Sequence, residues 1–363
     1  MVHPIPSGPR PGEGQSVGRV AGRDVGPSAY SAGVVYFEGA DDLVRCLESI
    51  ESQTHPPSLV LVVDHSGDPE SAVGLRERYD QVEWIVARNG GYAAGANRVI
   101  SRTRELRPDV GFVLILNPDV ELERDFCRIL IEEVSGRPEV ALASGRLLRP
   151  GGALIDSAGI ERSRTRRFHD RGSGEPDDGR YRRIETVFAV SGAAMMLRYE
   201  SLAHLAIEGE VFDEDFFVYH EDTDLAWRAR LFGFSCLYVP EAVAVHVRKW
   251  RRADRARIGE HVRRHSFKNR YLEMVKNERS RELLRDVPFI VCAEVVRFSF
   301  AVLVDRSLLR GYWDALLHLR RAWKKRKIIH SRVRRYSGHD PKRIDRDGTG
   351  PISEAKRTDG SPG

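Results

Sequence analysis

The sequence predicts an α/β protein built on an open, mostly parallel central sheet flanked by helices. Three observations predict it. Leu59 to Val63 and Phe112 to Leu116 are continuous apolar runs, as expected of strands covered on both faces. Amphipathic stretches of helical spacing alternate with such runs, the pattern of βαβ units. Polar breaks at Asp64, Asn89 and Asp119 fall at strand ends, the edge where ligands bind on sheets of this kind.

Taken in order, residues 1–28 are rich in Pro, Gly and Ser and read as a disordered leader. Ser31 to Phe37 is the first apolar run. Gly39-Ala40-Asp41-Asp42 then starts a helix with Leu43, Leu47 and Ile50 on one face. After the Leu59–Val63 strand, a second helix is expected from Glu70 to Tyr79 and a strand from Val82 to Ala87. The glycine-rich segment Arg88 to Asn97 follows, and a third helix runs on from there through Arg104. The Phe112–Leu116 strand breaks at Asn117-Pro118-Asp119. It is followed by a helix carrying Phe126, Ile129, Leu130 and Val134, and by a strand from Val140 to Ser144. Arg146 to Arg183 is basic and loop-rich. Val187 to Leu197 is apolar again. A helix ends at Phe232 before Gly233, and Ser235–Val239 and Ala242–Val247 read as two short strands.

Fifty-eight Lys and Arg against 53 Asp and Glu leave a formal charge of +5. The excess is clustered: Arg248 to Arg270 is strongly basic, and Arg320 to Arg335 carries nine Lys/Arg and no acid. No nucleic-acid recognition module accompanies it. The four cysteines are far apart, which speaks against a disulfide framework or structural zinc and fits a reducing cytoplasm. No charged segment leading into an apolar core opens the chain, and no apolar run is long enough to span a bilayer.

The most unusual stretch is Phe212 to Arg228, where six carboxylates sit among aromatic residues. Such groups are costly to bury unless paired or put to chemical use. A capped helix start and a site both fit. Asp119, at a strand end, suits either a Pro turn or a divalent cation that also holds a diphosphate. Asp64 suits either an Asx turn or a nucleoside contact. The glycines of Asn89 to Asn97 let a helix approach a nucleotide closely or pack tightly on a strand, and their spacing is wrong for a dinucleotide loop. His246 is either structural or a metal ligand facing Asp119.

Six motifs in order resemble those of the bacterial family 2 glycosyltransferases, particularly rhamnosyltransferase-like members. They are Val62-Val63-Asp64-His65-Ser66, Arg88 to Asn97, Leu116-Asn117-Pro118-Asp119, Ser191-Gly192-Ala193-Ala194, Phe212 to Leu225, and Tyr238-Val239-Pro240-Glu241-Ala242 to His246. The resemblance covers about Ser31 to Arg270. It implies a GT-A fold with a Rossmann-like half, and inverting transfer from a nucleotide-sugar donor to a saccharide or lipid-linked acceptor in cell-envelope glycan synthesis. It implies that Asp119 and His246 hold Mg²⁺ or Mn²⁺ and that Asp222 is the general base, with Glu221 or Asp224 orienting it. Asp64, Asn89, Gly90, Gly95, Asn97, Asn117, Ser191 and Gly192 are implied on the donor side. Two departures, Val35-Tyr36-Phe37-Glu38 in place of a Tyr-Asn strand end and Asp64-His65 in place of Asp-Asn, fall where the nucleoside binds.

The expected plan is a catalytic unit over 29–270, a helical, amphipathic and basic extension over 271–336, and a disordered tail over 337–363. The extension suits peripheral contact with the inner face of the cell membrane. The alternative is a helical extension that packs on the catalytic unit or forms a dimer. A nucleotidyltransferase is a second enzyme class, but Val34 to Asp42 lacks its Gly-rich basic phosphate loop. An inactive glycan-binding scaffold is the non-enzymatic alternative, against which the retained acids argue.

Overall fold

The computed structural model describes residues 28–67, 73–248 and 259–337, the last four by their backbone. The expected leader apart from Ser28, the expected tail apart from Ser337, the start of the second helix and residues 249–258 of the basic stretch lie outside the described residues.

The first half follows the βαβ expectation. Strands β1 (Tyr30–Tyr36), β2 (Leu59–Asp64), β3 (Glu83–Val86) and β4 (Phe112–Leu116) alternate with helices α1 (Ala40–Glu51), α2 (Val73–Arg78) and α3 (Gly91–Leu106). All pair in parallel in the order β3-β2-β1-β4. Side chains of β1 and β4 alternate between two separate cores. Val35, Val113 and Ile115 face α3, while Tyr30, Val34, Leu114 and Leu116 face α1. Period-two sorting onto two apolar layers is why these strands read as continuous hydrophobic runs.

The second half is mixed. It comprises β5 (Val120–Leu122), α4 (Phe126–Ser135), β6 (Val140–Leu148), β7 (Ile155–Ser157), β8 (Ile160–Arg162), β9 (Phe168–Asp170), β10 (Glu185–Val187), β11 (Ala194–Arg198), α5 (Leu202–Leu205), α6 (Glu221–Leu231) and β12 (Ser235–His246). β11 inserts antiparallel between β4 and β6, and β6 pairs in parallel with β12. The two strands expected at Ser235–Val239 and Ala242–Val247 are one. Its register slips between Val239 and Val243, so Pro240 and Glu241 sit in a bulge rather than a turn. The loop-rich middle holds the β8–β9 hairpin and the short β7.

Three helices complete the chain: α7 (Glu260–Asn277), α8 (Ser280–Leu303) and α9 (Ser307–Ser337). The boundary expected at 270 falls inside α7. α7 and α9 run side by side in the same direction, tied by Arg310 to Glu260, Arg264 to Asp314 and Arg326 to the Val275 carbonyl. α7 and the second half of α9 pack on the unit built around the sheet, through Asn269 to the Phe216 carbonyl, Lys325 to Asp213 and Arg332 to the Ala206 carbonyl. The buried face of α7 is polar: Lys268, Asn269, Glu273, Lys276 and Asn277 are all shielded.

These residues meet the acidic stretch. Lys276 bonds Asp213 and, at 2.8 Å, Asp224. Lys325 of α9 donates to Asp213 at 2.6 Å and to Asp215 at 3.1 Å. Burial alone would raise the Asp213 carboxyl, but the two ammonium groups outweigh it and hold the group well below the usual carboxylate range. Removing one member strands a buried charge. Lys276→Met is therefore expected to lower stability by about 3–5 kcal/mol, read as an earlier denaturant midpoint; an unchanged midpoint would dismiss the cluster as a structural tie. Because folding depresses Asp213, its contribution is present above the unfolded value of about 3.9 and is lost as pH falls below it. Asp213→Asn should make the acid-side fall of the melting temperature shallower than in the parent protein.

Candidate active site

A cleft of about 450 Å³ opens beyond the carboxyl ends of the parallel strands. It is lined by Asn117 and Asp119 after β4, Ser191 and Gly192 before β11, Glu221 and Asp222 at the start of α6, and His246 at the end of β12. The insertion of β11 beside β4 brings these segments together: the Asn117 N–H donates to the Ala193 carbonyl at 2.9 Å.

Asp222 is fixed by backbone. Its Oδ2 accepts from the Gly192 N–H at 3.1 Å and its Oδ1 from the Thr223 N–H at 2.7 Å. Burial raises the carboxyl above its ordinary range, and those two N–H groups oppose the shift. Tyr92 of α3 donates to the Gly192 carbonyl at 2.6 Å and so holds the same loop from behind. Glu221 is buried beside it, and its Oε2 has no hydrogen-bond partner among the described residues. Burial first, and the neighbouring Asp222 second, push the Glu221 carboxyl well up, which favours the protonated acid.

Asp224, expected beside Asp222, points elsewhere. Two residues along a helix turn by about 200°, so it lies on the opposite face. There it meets Lys276 at 2.8 Å, Asn277 at 2.6 Å and Arg228 at 3.4 Å. Its role is to bind α6 to α7, and it does not reach Asp222.

Asp119 and His246 do converge. Nε2 of His246 lies 3.5 Å from Oδ1 of Asp119. Two ligands at right angles on an octahedral ion of 2.1 Å bond length stand about 3.0 Å apart, so the pair fits one cation with little adjustment. The other ring nitrogen, Nδ1, meets Asp156 Oδ2 at 2.8 Å. A carboxylate behind a ligating histidine fixes its ring and tautomer. Burial would lower the His246 pKa, but hydrogen bonds to Asp119 and Asp156 raise it to about 9. Among the described residues no three His, Cys, Asp or Glu side chains converge as a closed metal cage.

The remaining donor-side residues divide. Asn117, Ser191 and Gly192 line the cleft. Asp64 is engaged locally, accepting from the Ser66 N–H and hydroxyl at 2.9 and 2.6 Å and from Arg76 at 2.7 Å. Burial would raise its pKa; these bonds bring it below the usual range. Asn89 closes an Asx turn on the Gly91 N–H at 2.9 Å, and Gly90 stands just before α3. A Cβ on Gly95 would stand 2.5 Å from Val35, so this glycine serves helix-on-strand packing. Asn97 grips the acidic stretch: it donates to the Phe212 carbonyl at 2.8 Å and accepts from the Phe212 N–H at 2.9 Å. Its amide is thereby spent on structure, and it does not line the cleft.

The turn leading into α6 is strained. Phe217, Tyr219 and His220 all have φ between 66° and 71°, a region costly for residues with a Cβ. Gly91 is needed beneath it, since a Cβ there would stand 2.1 Å from the Phe217 carbonyl oxygen. Asn269 of α7 holds the turn, its Nδ2 lying 2.8–2.9 Å from the Phe216, Val218 and Tyr219 carbonyls. Glu273 bonds His220 and Thr223 at 2.9 and 3.0 Å. Asp156, Asn269, Glu273 and Lys276 were not singled out from the sequence. The last three carry a signal all the same, a polar stripe at helical spacing.

The chain matches the model of the family described as Glycosyl transferase family 2 over residues 31–202. It is 30% identical over 234 residues to the N-acetylglucosaminyl-diphospho-decaprenol L-rhamnosyltransferase of two strains of Mycobacterium tuberculosis, covering 58% of this chain and 74% of the relative. Its fold is shared with GalNAc-T7 crystallised with UDP, GalNAc and Mn²⁺ (TM-score 0.52, 13% identity, 68% of this chain and 48% of that one). Staphylococcus aureus TarS shares it too (TM-score 0.52, 13% identity, 87% of this chain and 54% of that one). The chain thus spans about half the length of each of these two structures. The architecture is the GT-A fold. The chain belongs to glycosyltransferase family 2 and is one of its rhamnosyltransferase-like members.

Asn269→Ala leaves the carbonyls of the strained turn without their donor, a loss of about 1–3 kcal/mol. Calorimetry is expected to record a lower melting temperature, and donor-sugar turnover to fall with it. Full turnover in the variant would mean that the turn does not depend on α7.

Proposed function

We propose that this protein is an inverting, metal-dependent glycosyltransferase. It moves a sugar, rhamnose or another hexose, from a nucleoside-diphosphate sugar to a saccharide or lipid-linked acceptor in cell-envelope glycan assembly. The observation that carries the reading is the carboxylate of Asp222, clamped by two backbone N–H groups in the cleft that also holds Asp119 and His246.

An acceptor hydroxyl is a weak nucleophile and needs a base to take its proton as it attacks the anomeric carbon. Asp222 does this. A base with a raised pKa holds that proton better than an ordinary carboxylate, and the fixed N–H groups keep the side chain aimed while it works. Burial of Glu221 favours its protonated form, which keeps the negative charge on Asp222. Attack from the face opposite the leaving diphosphate inverts the anomeric centre. Asp119 and His246 would hold Mg²⁺ or Mn²⁺, which when bound would supply charge neutralisation for the departing nucleoside diphosphate. Asn117, Ser191 and Gly192 border the donor sugar. The lipid-linked acceptor and the rhamnosyl donor are suggested by the mycobacterial relative's name.

Asp222→Asn is expected to abolish turnover while titration calorimetry still detects the nucleotide-sugar; retained turnover would sink the base assignment. Asp119→Ala should remove the dependence of donor binding on Mn²⁺, and an unaltered metal titration would exclude it as a ligand. Activity requires Asp222 ionised, so it rises with pH. Since folding raises this carboxyl, the acid limb of the pH–rate profile should lie above about 4, the ordinary range of such a group.

A further inference from the structure

α8 is built inside out. Its shielded side holds Asp286 and the partly shielded Glu294 beside Ile290 and Ala301, and the two acids pair with Arg164 and Arg166 and with Arg270. Most of its outward residues are apolar: Leu284 is 75% exposed, Val296 69% and Leu303 81%. A surface helix of a protein that meets water on all sides has the reverse arrangement. The apolar face continues onto α9 through Trp313, 63% exposed, and Leu317. α8 is about 36 Å long at 1.5 Å per residue, so this is a contiguous face rather than scattered side chains.

Charge selects the occupant. Among the described residues of α8 and α9 no acid is exposed, whereas Arg281, Arg285, Arg306, Arg310, Arg320 and Lys327 are. A second copy of the chain would press this cationic rim against itself. An anionic surface complements it. No described helix is long and apolar enough to cross a membrane, so the contact would lie in the interfacial plane. Tryptophan among cations at the edge of an apolar face suits the headgroup boundary.

The face also has a definite place. The start of α8 is pinned to the β8–β9 hairpin, whose Phe168 and Asp170 line the cleft, by Arg162 to Glu282 and Arg164 to Asp286. Its end is pinned to α7 by Arg263 to Asp305 at 3.3 Å, and Arg263 lines the cleft as well.

We propose that the outward face of α8 and the first half of α9 docks on an anionic lipid bilayer, holding the cleft beside the headgroups. This rests on the lipid-linked acceptor reading for its purpose but not for its existence. Seated there, the cleft takes an acceptor whose lipid stays in the bilayer, and the apolar face replaces any need to extract it.

The test uses the full chain and two kinds of vesicle, phosphatidylcholine alone and phosphatidylcholine with phosphatidylglycerol. Wild type should co-sediment with the anionic vesicles about tenfold or more better than with the neutral ones, and lose that advantage in high salt. The triple variant Leu284→Glu, Val296→Glu, Leu303→Glu should stay in the supernatant, yet turn over nucleotide-sugar with a water-soluble acceptor as wild type does. Equal sedimentation of variant and wild type would overturn the proposal. So would light scattering that finds a wild-type dimer turned monomeric by the same substitutions, which would make the face a self-interface. If vesicles bind normally but a lipid-linked acceptor is not used, the acceptor reading fails and the docking surface stands.

Discussion

The structure depends on a buried exchange of charge between the acidic stretch and the C-terminal helices. Asp213 and Asp224 enter the core with Lys276 and Lys325 as partners, and Arg228 and Asn277 complete their shells. None of these groups could be buried alone. Together they fix where α6 begins, and α6 carries Asp222 into the cleft. The extension is thus part of the frame that aims the carboxylate, and a boundary drawn at residue 270 divides a helix on which the site rests.

The two sides of the cleft are made differently. On one side, strand ends deliver Asp119 and His246, and β7 supplies Asp156 behind the imidazole. Their geometry follows from sheet register, which is rigid. On the other side, a helix start and a strained turn deliver Glu221 and Asp222, and they are steadied by loops and by α7. The sheet half reads as a binding platform. The helical half has to hold a carboxylate against its own tendency to take up a proton, and it does so with two backbone N–H groups rather than a cationic side chain.

This division explains what could be read in the sequence. The parallel strands were legible because both of their faces are apolar, and Asp119 after β4, Ser191 and Gly192 before β11, Asp222 at the start of α6 and His246 at the end of β12 stood out because they mark the boundaries of elements. Pro240 suggested a break in β12 because Pro usually ends a strand; pairing with β6 resumes beyond it as a bulge. Asp64 and Asn97 look like site residues because a carboxylate or amide at such an edge suits a ligand and a turn equally. Their bonds to Arg76 and to Phe212 come from residues that no local pattern connects. α7 and α8 defeat hydrophobic periodicity: the buried face of α7 is mostly polar, and in α8 a buried Asp286 lies beside Ile290 and Ala301 while most exposed residues are apolar. A pattern that assumes oil inside and water outside assigns their faces the wrong way round.

The dependence of the strained turn on Asn269 bears on how the protein is made. A chain leaves the ribosome N-terminus first, and early segments begin to fold while later ones are still being synthesised. Every strand of the sheet is complete by His246, before α7 exists. The platform can therefore form while the turn before α6 still lacks the amide that holds it, and Asp213 and Asp224 still lack their lysines. The helices that hold the turn before α6 are thus made after every strand of the sheet they steady.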